Sequence, residues 1–246
     1  MADLDLTVRD IYLARARIAP FVHKTPLVSS PELSERTGSE VTLKLECLQE
    51  TGSFKPRGAA NKILSLNPAV RQRGVVTVSS GNHGRALAYV ARRLGLRAVV
   101  CLYEKVPANK RDATRKLGAE VVVRGRTYAE ANEEAFRLVE KEGLEMIHPY
   151  DDPAVIAGQG TIGLELLEDF PALDTVIIPL SGGGLLGGIA FTLKAADPKI
   201  HVVGVMMERG PAMVESLRAG RIVDIVEEPT LADALAGNLP INTLLN

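Results

Sequence analysis

The sequence predicts an α/β fold built from open parallel sheets, and three observations lead to that prediction. Short apolar runs alternate with helical patterns from Val75 to Val205. The runs are apolar throughout, as is typical of strands that helices cover on both faces. Glycines follow several of the helical patterns, where a left-handed residue ends a helix. With 246 residues, 46% of them hydrophobic, the chain is long enough for one large domain or two smaller lobes.

The N-terminal part begins with two helices and a strand. The predicted elements are helices over residues 7–19 and 30–38 and a strand over residues 41–45. Thr7 and Asp10 have the spacing of a capping box at the start of the first helix. Pro31 and Gly38 mark the start and end of the second helix.

The remainder alternates regularly between the two kinds of element. The predicted strands cover 75–78, 98–102, 121–123, 175–178 and 201–205, and the predicted helices cover 85–94, 109–117, 127–142, 153–169, 185–196 and 211–219. Thr127 and Glu130 form a second capping-box pattern. We expect a large lobe made of residues 1–51 and 144–246, with residues 52–143 inserted as a smaller lobe.

Composition argues against several classes of protein. The formal net charge is −1 and there is no Trp, so nothing favours nucleic acid or an anionic membrane as a partner. Cys47 and Cys101 are isolated and the four histidines are scattered, so neither a disulfide framework nor a metal site is predicted. The acidic N-terminus does not resemble a signal peptide, and a cytoplasmic protein is expected.

Residues 175–193 form an uncharged stretch almost as long as a membrane span of about 20 residues. Glycines, a proline and a serine interrupt its middle. We therefore predict a strand, a glycine loop and a buried helix here, and no membrane span.

The stretch Gly52-Ser-Phe-Lys-Pro-Arg-Gly58 has the pattern of a helix start. Pro56 suits the first turn and Ser53 is a candidate cap. Lys55 and Arg57 then lie at the positive end of the helix dipole, which disfavours cations. A lysine with a lowered pKa is a free amine that can attack a carbonyl. A surface lysine in a turn is the alternative for this stretch.

A glycine-rich loop, Ser181-Gly-Gly-Gly-Leu-Leu-Gly-Gly188, precedes a predicted helix. Its backbone N–H groups and the helix N-terminus would form a cradle for a phosphate. Gly182, Gly184 and Gly187 also match a dinucleotide motif, with Glu208 near the spacing expected of its acidic residue. That alternative leaves Lys55 without a role, and only one predicted strand follows the loop. A further alternative is that the glycines only allow close helix packing.

The loop Ser79-Ser-Gly-Asn-His-Gly84 lies between a predicted strand and a predicted helix. Its hydroxyls, its amide and its backbone N–H groups suit a carboxylate or a phenolate oxygen. The alternative is an ordinary capped turn, with Ser80 or Asn82 as the N-cap.

Taken together, the lysine stretch and these two loops resemble the fold type II pyridoxal-phosphate enzymes, specifically the threonine/serine dehydratase and serine racemase group. Further matching segments are Leu45–Gln49, His148–Pro153 and Gly158–Thr161. The resemblance implies a tryptophan synthase beta-like fold of two open parallel-sheet lobes, the larger of which binds the cofactor. It also implies pyridoxal 5'-phosphate as cofactor, a small amino acid as substrate and a homodimer.

The resemblance implies roles for the matching residues. Lys55 would bind the cofactor aldehyde and move the Cα proton, and Asn82 would bind the ring hydroxyl. The cofactor phosphate would be bound by Ser181, Gly182, Gly183 and Gly184.

The substrate carboxylate would lie in a pocket formed by Ser79, Ser80 and His83. Ser80 also occupies the place of the second acid/base in racemases of the group. The implied activity is that of a threonine dehydratase-like lyase, which eliminates the hydroxyl of a 3-hydroxy amino acid to give a 2-keto acid and ammonia. The alternatives are an amino acid racemase and a cofactor-binding but catalytically weak, truncated form.

The chain departs from the group's pattern in two places. Met206-Met-Glu-Arg209 stands where relatives usually have a cation-binding glutamate, so no metal is expected, and this segment resembles the hydroxyectoine-utilisation dehydratases. Nothing matches the late Ser- or Cys-Gly-Gly-Asn segment that contacts the pyridine nitrogen in relatives. Residues after Ala236 also stop resembling the group, so a truncated or altered C-terminus is expected.

Overall fold

The computed structural model describes residues 5–226, 230–235 and 239, and within them the predicted alternation of strands and helices is confirmed. The helices are α1 (Val8–Ile18), α2 (Pro31–Thr37), α3 (Lys55–Ser65), α4 (Pro68–Arg73), α5 (Asn82–Leu94), α6 (Ala108–Lys116), α7 (Tyr128–Glu142), α8 (Pro153–Asp169), α9 (Gly184–Ala196) and α10 (Ala212–Ala219). The strands are β1 (Leu27–Ser29), β2 (Thr42–Lys44), β3 (Val75–Val78), β4 (Ala98–Leu102), β5 (Glu120–Val123), β6 (Glu145–Met146), β7 (Thr175–Pro179) and β8 (His201–Val205). Short 3₁₀ turns cover Glu46–Leu48 and Asp233–Leu235.

The parallel sheet predicted in the middle of the chain has the strand order β5-β4-β3-β6, and all of its pairings are parallel. Helices cover both faces of this sheet. Alternate residues of each strand point to opposite faces, so each strand contributes side chains to both helix layers. Val75 and Val100 pack in a cluster with α5, whereas Val76 and Val99 pack with α7. Burial on both faces explains why β3 and β4 are uniformly apolar.

A second parallel pair, β7 with β8, lies beside the packed helices α8 and α9. Glycines let these two helices approach closely: a Cβ on Gly188 would lie 2.4 Å from the carbonyl oxygen of Ile156. The long uncharged stretch is the strand β7, a glycine loop and the helix α9, as predicted. None of the helices among the described residues has the length and hydrophobicity to cross a membrane.

Local signals at the helix ends are confirmed, and two short elements were not predicted. Both capping boxes, Thr7 with Asp10 and Thr127 with Glu130, are present. Left-handed glycines end several helices at the predicted positions Gly38, Gly95, Gly143 and Gly220. The helix α4 and the strand β1, which pairs antiparallel with β2, were missed. The lobe boundaries stay a prediction, and residues 236–238 and 240–246 lie outside the described part.

A buried ion network joins α3 to α8 and to the turn after β2. The guanidinium of Arg57 is fully buried and donates to both carboxylate oxygens of Glu46 at 2.9 and 2.8 Å. It also donates to both oxygens of Glu165 at 2.6 and 2.9 Å. The ammonium of Lys44 lies 2.7 Å from Glu165, so two cations balance two carboxylates in this network. Burial disfavours the charge on Arg57, but its hydrogen bonds to the carboxylates outweigh that cost and raise its pKa.

We expect Arg57→Met to destabilise the fold by about 3–5 kcal/mol, because it leaves buried carboxylates without their main partner. The matched control is Arg97→Met, since Arg97 also binds two carboxylates, Glu120 and Glu142, but its side chain is 40% exposed, against 1% for Arg57. Its loss should cost about 1 kcal/mol or less. Urea unfolding followed by circular dichroism gives both values. Equal losses in the two variants would contradict the structural role assigned to Arg57.

Candidate active site

Lys55 is the first residue of α3, with Pro56 in the first turn as predicted. The predicted cap is wrong. The residue before the helix is Phe54, and no side chain caps the helix start. Ser53 lies one position too early, and its buried hydroxyl has no hydrogen-bond partner among the described residues.

The amine of Lys55 has a desolvated setting. Its Nζ donates to the carbonyl oxygen of Pro149 at 2.7 Å and lies 5.1 Å from the ring centroid of Phe54. Burial lowers the pKa of Lys55 to about 8. The predicted lowering is therefore confirmed, with loss of solvation as its cause. Close to neutral pH, a useful fraction of this amine is unprotonated and nucleophilic.

The segment 147–150 brings the predicted motifs together. The carbonyl oxygen of Ile147 is 3.0 Å from Nε2 of His83, in the serine-rich loop. Two residues later, the carbonyl oxygen of Pro149 binds Lys55. The next residue, Tyr150, packs directly against the glycine loop, where a Cβ on Gly182 would lie 2.6 Å from the tyrosine ring. Each of the three motifs therefore contacts a residue within the same short segment, 147–150.

The glycine loop is built for close approach at the N-terminus of α9. Gly183 is the N-cap and has a left-handed φ of 87°, a conformation that favours glycine. A Cβ on Gly184 would lie 2.6 Å from the carbonyl oxygen of Tyr150. Backbone N–H groups at this helix start, together with the dipole, favour an anion such as a phosphate. An amine with a lowered pKa and an anion site, which contact neighbouring residues 149 and 150, fit a ligand that carries both an aldehyde and a phosphate.

The serine-rich loop places its polar groups between β3 and the start of α5. Gly81 is the N-cap, so neither Ser80 nor Asn82 takes that position. Ser79 accepts a hydrogen bond from the Gly81 backbone at 3.3 Å. The side-chain oxygen of Asn82 accepts from Arg85, which leaves the amide N–H groups of Asn82 as the donors for a ligand. Ser79 and Ser80 are both half-buried.

Two histidines, His83 of the serine-rich loop and His148 of the segment 147–150, lie at this site, and burial lowers the pKa of each. The pKa of His83 is lowered to about 3, first by burial and second by the charge of Lys55. Burial also lowers the pKa of His148, although the nearby negative charges of Asp151 and Asp152 act to raise it. Nδ1 of His148 accepts the backbone N–H of Asp151 at 2.8 Å. Both rings are therefore neutral near pH 7.

No role was predicted for Pro149 or Tyr150, although their segment, His148–Pro153, is among those that resemble the group. Pro149 acts through its backbone carbonyl, which leaves no residue-type signal in a sequence. Tyr150 acts through both its ring and its carbonyl, and its partner loop is distant in the chain. Gln159 was also missed: it is buried in α8 beside Gly58 of α3, and its Oε1 has no partner among the described residues. Glu208, which the dinucleotide alternative requires, is exposed after β8.

Comparison with known proteins bears on this arrangement. The family model described as "Pyridoxal-phosphate dependent enzyme" matches residues 18–245. The L-threonine ammonia-lyase of Thermotoga maritima is 46% identical over 235 residues, which cover 96% of this chain and 59% of the relative. The catabolic L-threonine dehydratase TdcB of Staphylococcus aureus is 42% identical over 236 residues, covering 96% of this chain and 68% of the relative.

Solved structures show the same likeness. Maize serine racemase superimposes with a TM-score of 0.92 at 36% identity, covering 96% of this chain and 71% of that one. A threonine deaminase from T.th. gives a TM-score of 0.87 at 44% identity, and the match covers 93% of this chain and 74% of that one. The relatives named as lyases support a pyridoxal-phosphate-dependent lyase. The chain belongs to the pyridoxal-phosphate-dependent enzyme family, in the fold type II group of threonine dehydratases and serine racemases.

Proposed function

We propose that the chain is a pyridoxal-phosphate-dependent ammonia-lyase that removes the hydroxyl of a threonine- or serine-like amino acid. The products are a 2-keto acid and ammonia. The observation that carries the proposal is the contact of Lys55, the serine-rich loop and the glycine loop with residues 147–150. The names of the relatives support the substrate class. A cytoplasmic homodimer and the hydroxyectoine-utilisation branch are parts of the same proposal.

Each residue has a defined task in this reaction. Lys55 holds the cofactor aldehyde and moves the Cα proton, a task that suits an amine whose pKa is about 8. Asn82 donates to the ring hydroxyl. The phosphate is bound by the loop residues Ser181, Gly182, Gly183 and Gly184. Bound pyridoxal phosphate supplies an electron sink for the negative charge that develops at Cα.

The substrate carboxylate is placed at the serine-rich loop, where Ser79 and Ser80 offer hydroxyl donors and α5 begins. A helix start favours a carboxylate for the same reason that it favours a phosphate.

A racemase on the same scaffold is the second candidate, and the likeness to maize serine racemase favours it. Ser80 would then exchange a proton with Cα as a second acid/base. Elimination is preferred, because the ammonia-lyase and the dehydratase cited above are 46% and 42% identical to this chain, against 36% and 39% for two serine racemases. A third candidate is a form that binds the cofactor but has weak turnover. A normal turnover rate of the unmodified protein would exclude it.

We expect Lys55→Ala to abolish covalent capture of pyridoxal phosphate, because the variant removes the attacking amine. The visible absorbance of the protein-bound cofactor should disappear, and borohydride should no longer fix the cofactor to the protein. Lys116→Ala, at an exposed position of α6, is the control and should keep both signals. Unchanged absorbance in the Lys55 variant would rule out its assigned role.

The rate of cofactor capture should rise with pH and level off above a midpoint near 8. Only the unprotonated amine attacks, and burial lowers the pKa of Lys55 to about 8, below the ordinary lysine value of about 10.4. Stopped-flow absorbance of the cofactor-free protein, from pH 6.5 to 10, measures this profile. A rate that keeps rising roughly tenfold per pH unit above pH 9 would indicate an ordinary solvated lysine.

Ser80→Ala separates elimination from racemisation. If elimination is the main reaction, keto acid and ammonia dominate in the unmodified protein, and the variant retains measurable elimination while any inverted amino acid disappears. Chiral chromatography and a coupled keto-acid assay quantify the two products. An unmodified protein that forms mainly inverted amino acid would favour the racemase instead.

A further inference from the structure

The glycine loop is seated on the side chain of Tyr150. A Cβ added to Gly182 would lie 2.6 Å from each of three ring atoms, Cδ1, Cδ2 and Cε1. Cδ1 and Cδ2 lie on opposite edges of the ring, so these equal distances place Gly182 over the ring face. Non-bonded atoms do not approach this closely, so only a residue without a side chain fits over this ring.

The ring of Tyr150 is itself held in place by His148. The two rings meet edge to face, with centroids 4.7 Å apart and planes at 85°. Nδ1 of His148 also accepts the backbone N–H groups of Tyr150 at 3.3 Å and of Asp151 at 2.8 Å. Burial raises the pKa of Tyr150, so its phenol stays neutral and brings no negative charge beside an anion site.

The glycines around α9 meet two different kinds of neighbour. A Cβ on Gly188 would meet the carbonyl oxygen of Ile156, so that glycine serves the packing of α8 against α9. A Cβ on Gly182 would meet the ring of Tyr150, and one on Gly184 would meet the backbone carbonyl oxygen and Cα of Tyr150 at 2.6 and 2.9 Å. Neither Gly182 nor Gly184 has a positive φ, so contact with Tyr150 is what requires glycine at both positions.

A loop of three successive glycines has to be ordered before it can bind an anion well. Glycine loses more conformational freedom than other residues when its backbone becomes fixed. If the loop were ordered only when a ligand binds, that cost would reduce affinity. A fixed ring beneath the loop orders it beforehand, so that the backbone N–H groups at the start of α9 keep one direction.

We propose that Tyr150 is a positioning residue for phosphate binding: its ring is the surface that shapes the loop Ser181–Gly184 into an anion site. The inference rests on the proposed function, which makes the phosphate of pyridoxal phosphate the anion. Tyr150 acts through the loop and needs no contact with the ligand. Its loss should therefore weaken binding of a ligand that carries a phosphate more than binding of the same ligand without one.

The test compares the Kd of pyridoxal phosphate with the Kd of pyridoxal, which has the same aldehyde and no phosphate. In Tyr150→Ala, the preference for the phosphate-bearing ligand should fall roughly tenfold, about the effect of one further loop residue that must be ordered on binding. Tyr150→Phe keeps the ring and should retain the preference within about threefold. Circular dichroism shows whether each variant is folded.

A double-mutant cycle tests whether the ring is what shapes the loop. Gly182→Ala should lower the same preference in the unmodified background, because its Cβ pushes the loop off the ring. In the Tyr150→Ala background that loss should vanish, since the obstructing ring is gone. Gly184→Ala is the matched control: it meets the backbone of Tyr150, so its loss should persist in both backgrounds. If Tyr150→Ala does not fold, Gly182→Ala alone tests the inference, and an unchanged preference in that variant overturns it.

The outcomes separate the inference from the function on which it rests. An unchanged preference in Tyr150→Ala, equal losses for both ligands, or additive losses for Gly182→Ala and Tyr150→Ala would each overturn the inference. If the unmodified protein binds pyridoxal phosphate no more tightly than pyridoxal, the proposed function fails instead. Amide hydrogen exchange of the ligand-free protein then tests the seating of the loop alone. The N–H of Gly187 donates to the carbonyl of Gly183 at 2.7 Å, and its exchange should accelerate about tenfold in Tyr150→Ala; an unchanged rate overturns the inference.

Discussion

The position of the reactive lysine depends on the buried charge network around Arg57. This guanidinium lies two residues after Lys55 and is held by Glu46 and Glu165. A buried charge without partners is costly, so the start of α3 is stable only where both carboxylates reach it. Thr161 of α8 adds a further hydrogen bond at 3.1 Å. The network therefore fixes the start of α3 against α8, and Lys55 with it.

The helix α8 links the start of α3 to the glycine loop at the start of α9. Its cap, Asp152, pairs with Lys62 of α3 at 2.7 Å, just after the segment 147–150 that contacts all three motifs. Its glycine-rich face lets α9 pack closely, so that the glycine loop at the start of α9 meets Tyr150. Lys55 and the glycine loop thus belong to one packed unit, although about 130 residues separate them in the chain.

The features that the sequence predicted correctly are those decided within a few residues. The capping box of Thr127 with Glu130 and the left-handed Gly143 depend only on residues at the ends of their own helix, α7. The lysine and the two loops were singled out by residue type and by their resemblance to the group, and their roles stay a proposal. Features that depend on distant partners were missed: Arg57 binds a carboxylate 108 positions away. Ser53 was misplaced as a cap because a shift of one residue at the helix start leaves no local signal.

At the start of α3, the pKa values of Lys55 and Arg57 are shifted in opposite directions. Residues two apart on a helix point to roughly opposite sides. Arg57 points into carboxylates that keep it charged, and its pKa is raised. Lys55 points to a carbonyl oxygen and an aromatic ring, which bind the amine without compensating its charge in full, and its pKa falls to about 8. Exchanging the two residues would destroy both functions, because the fold needs a permanent charge at position 57 and the chemistry needs a removable one at position 55.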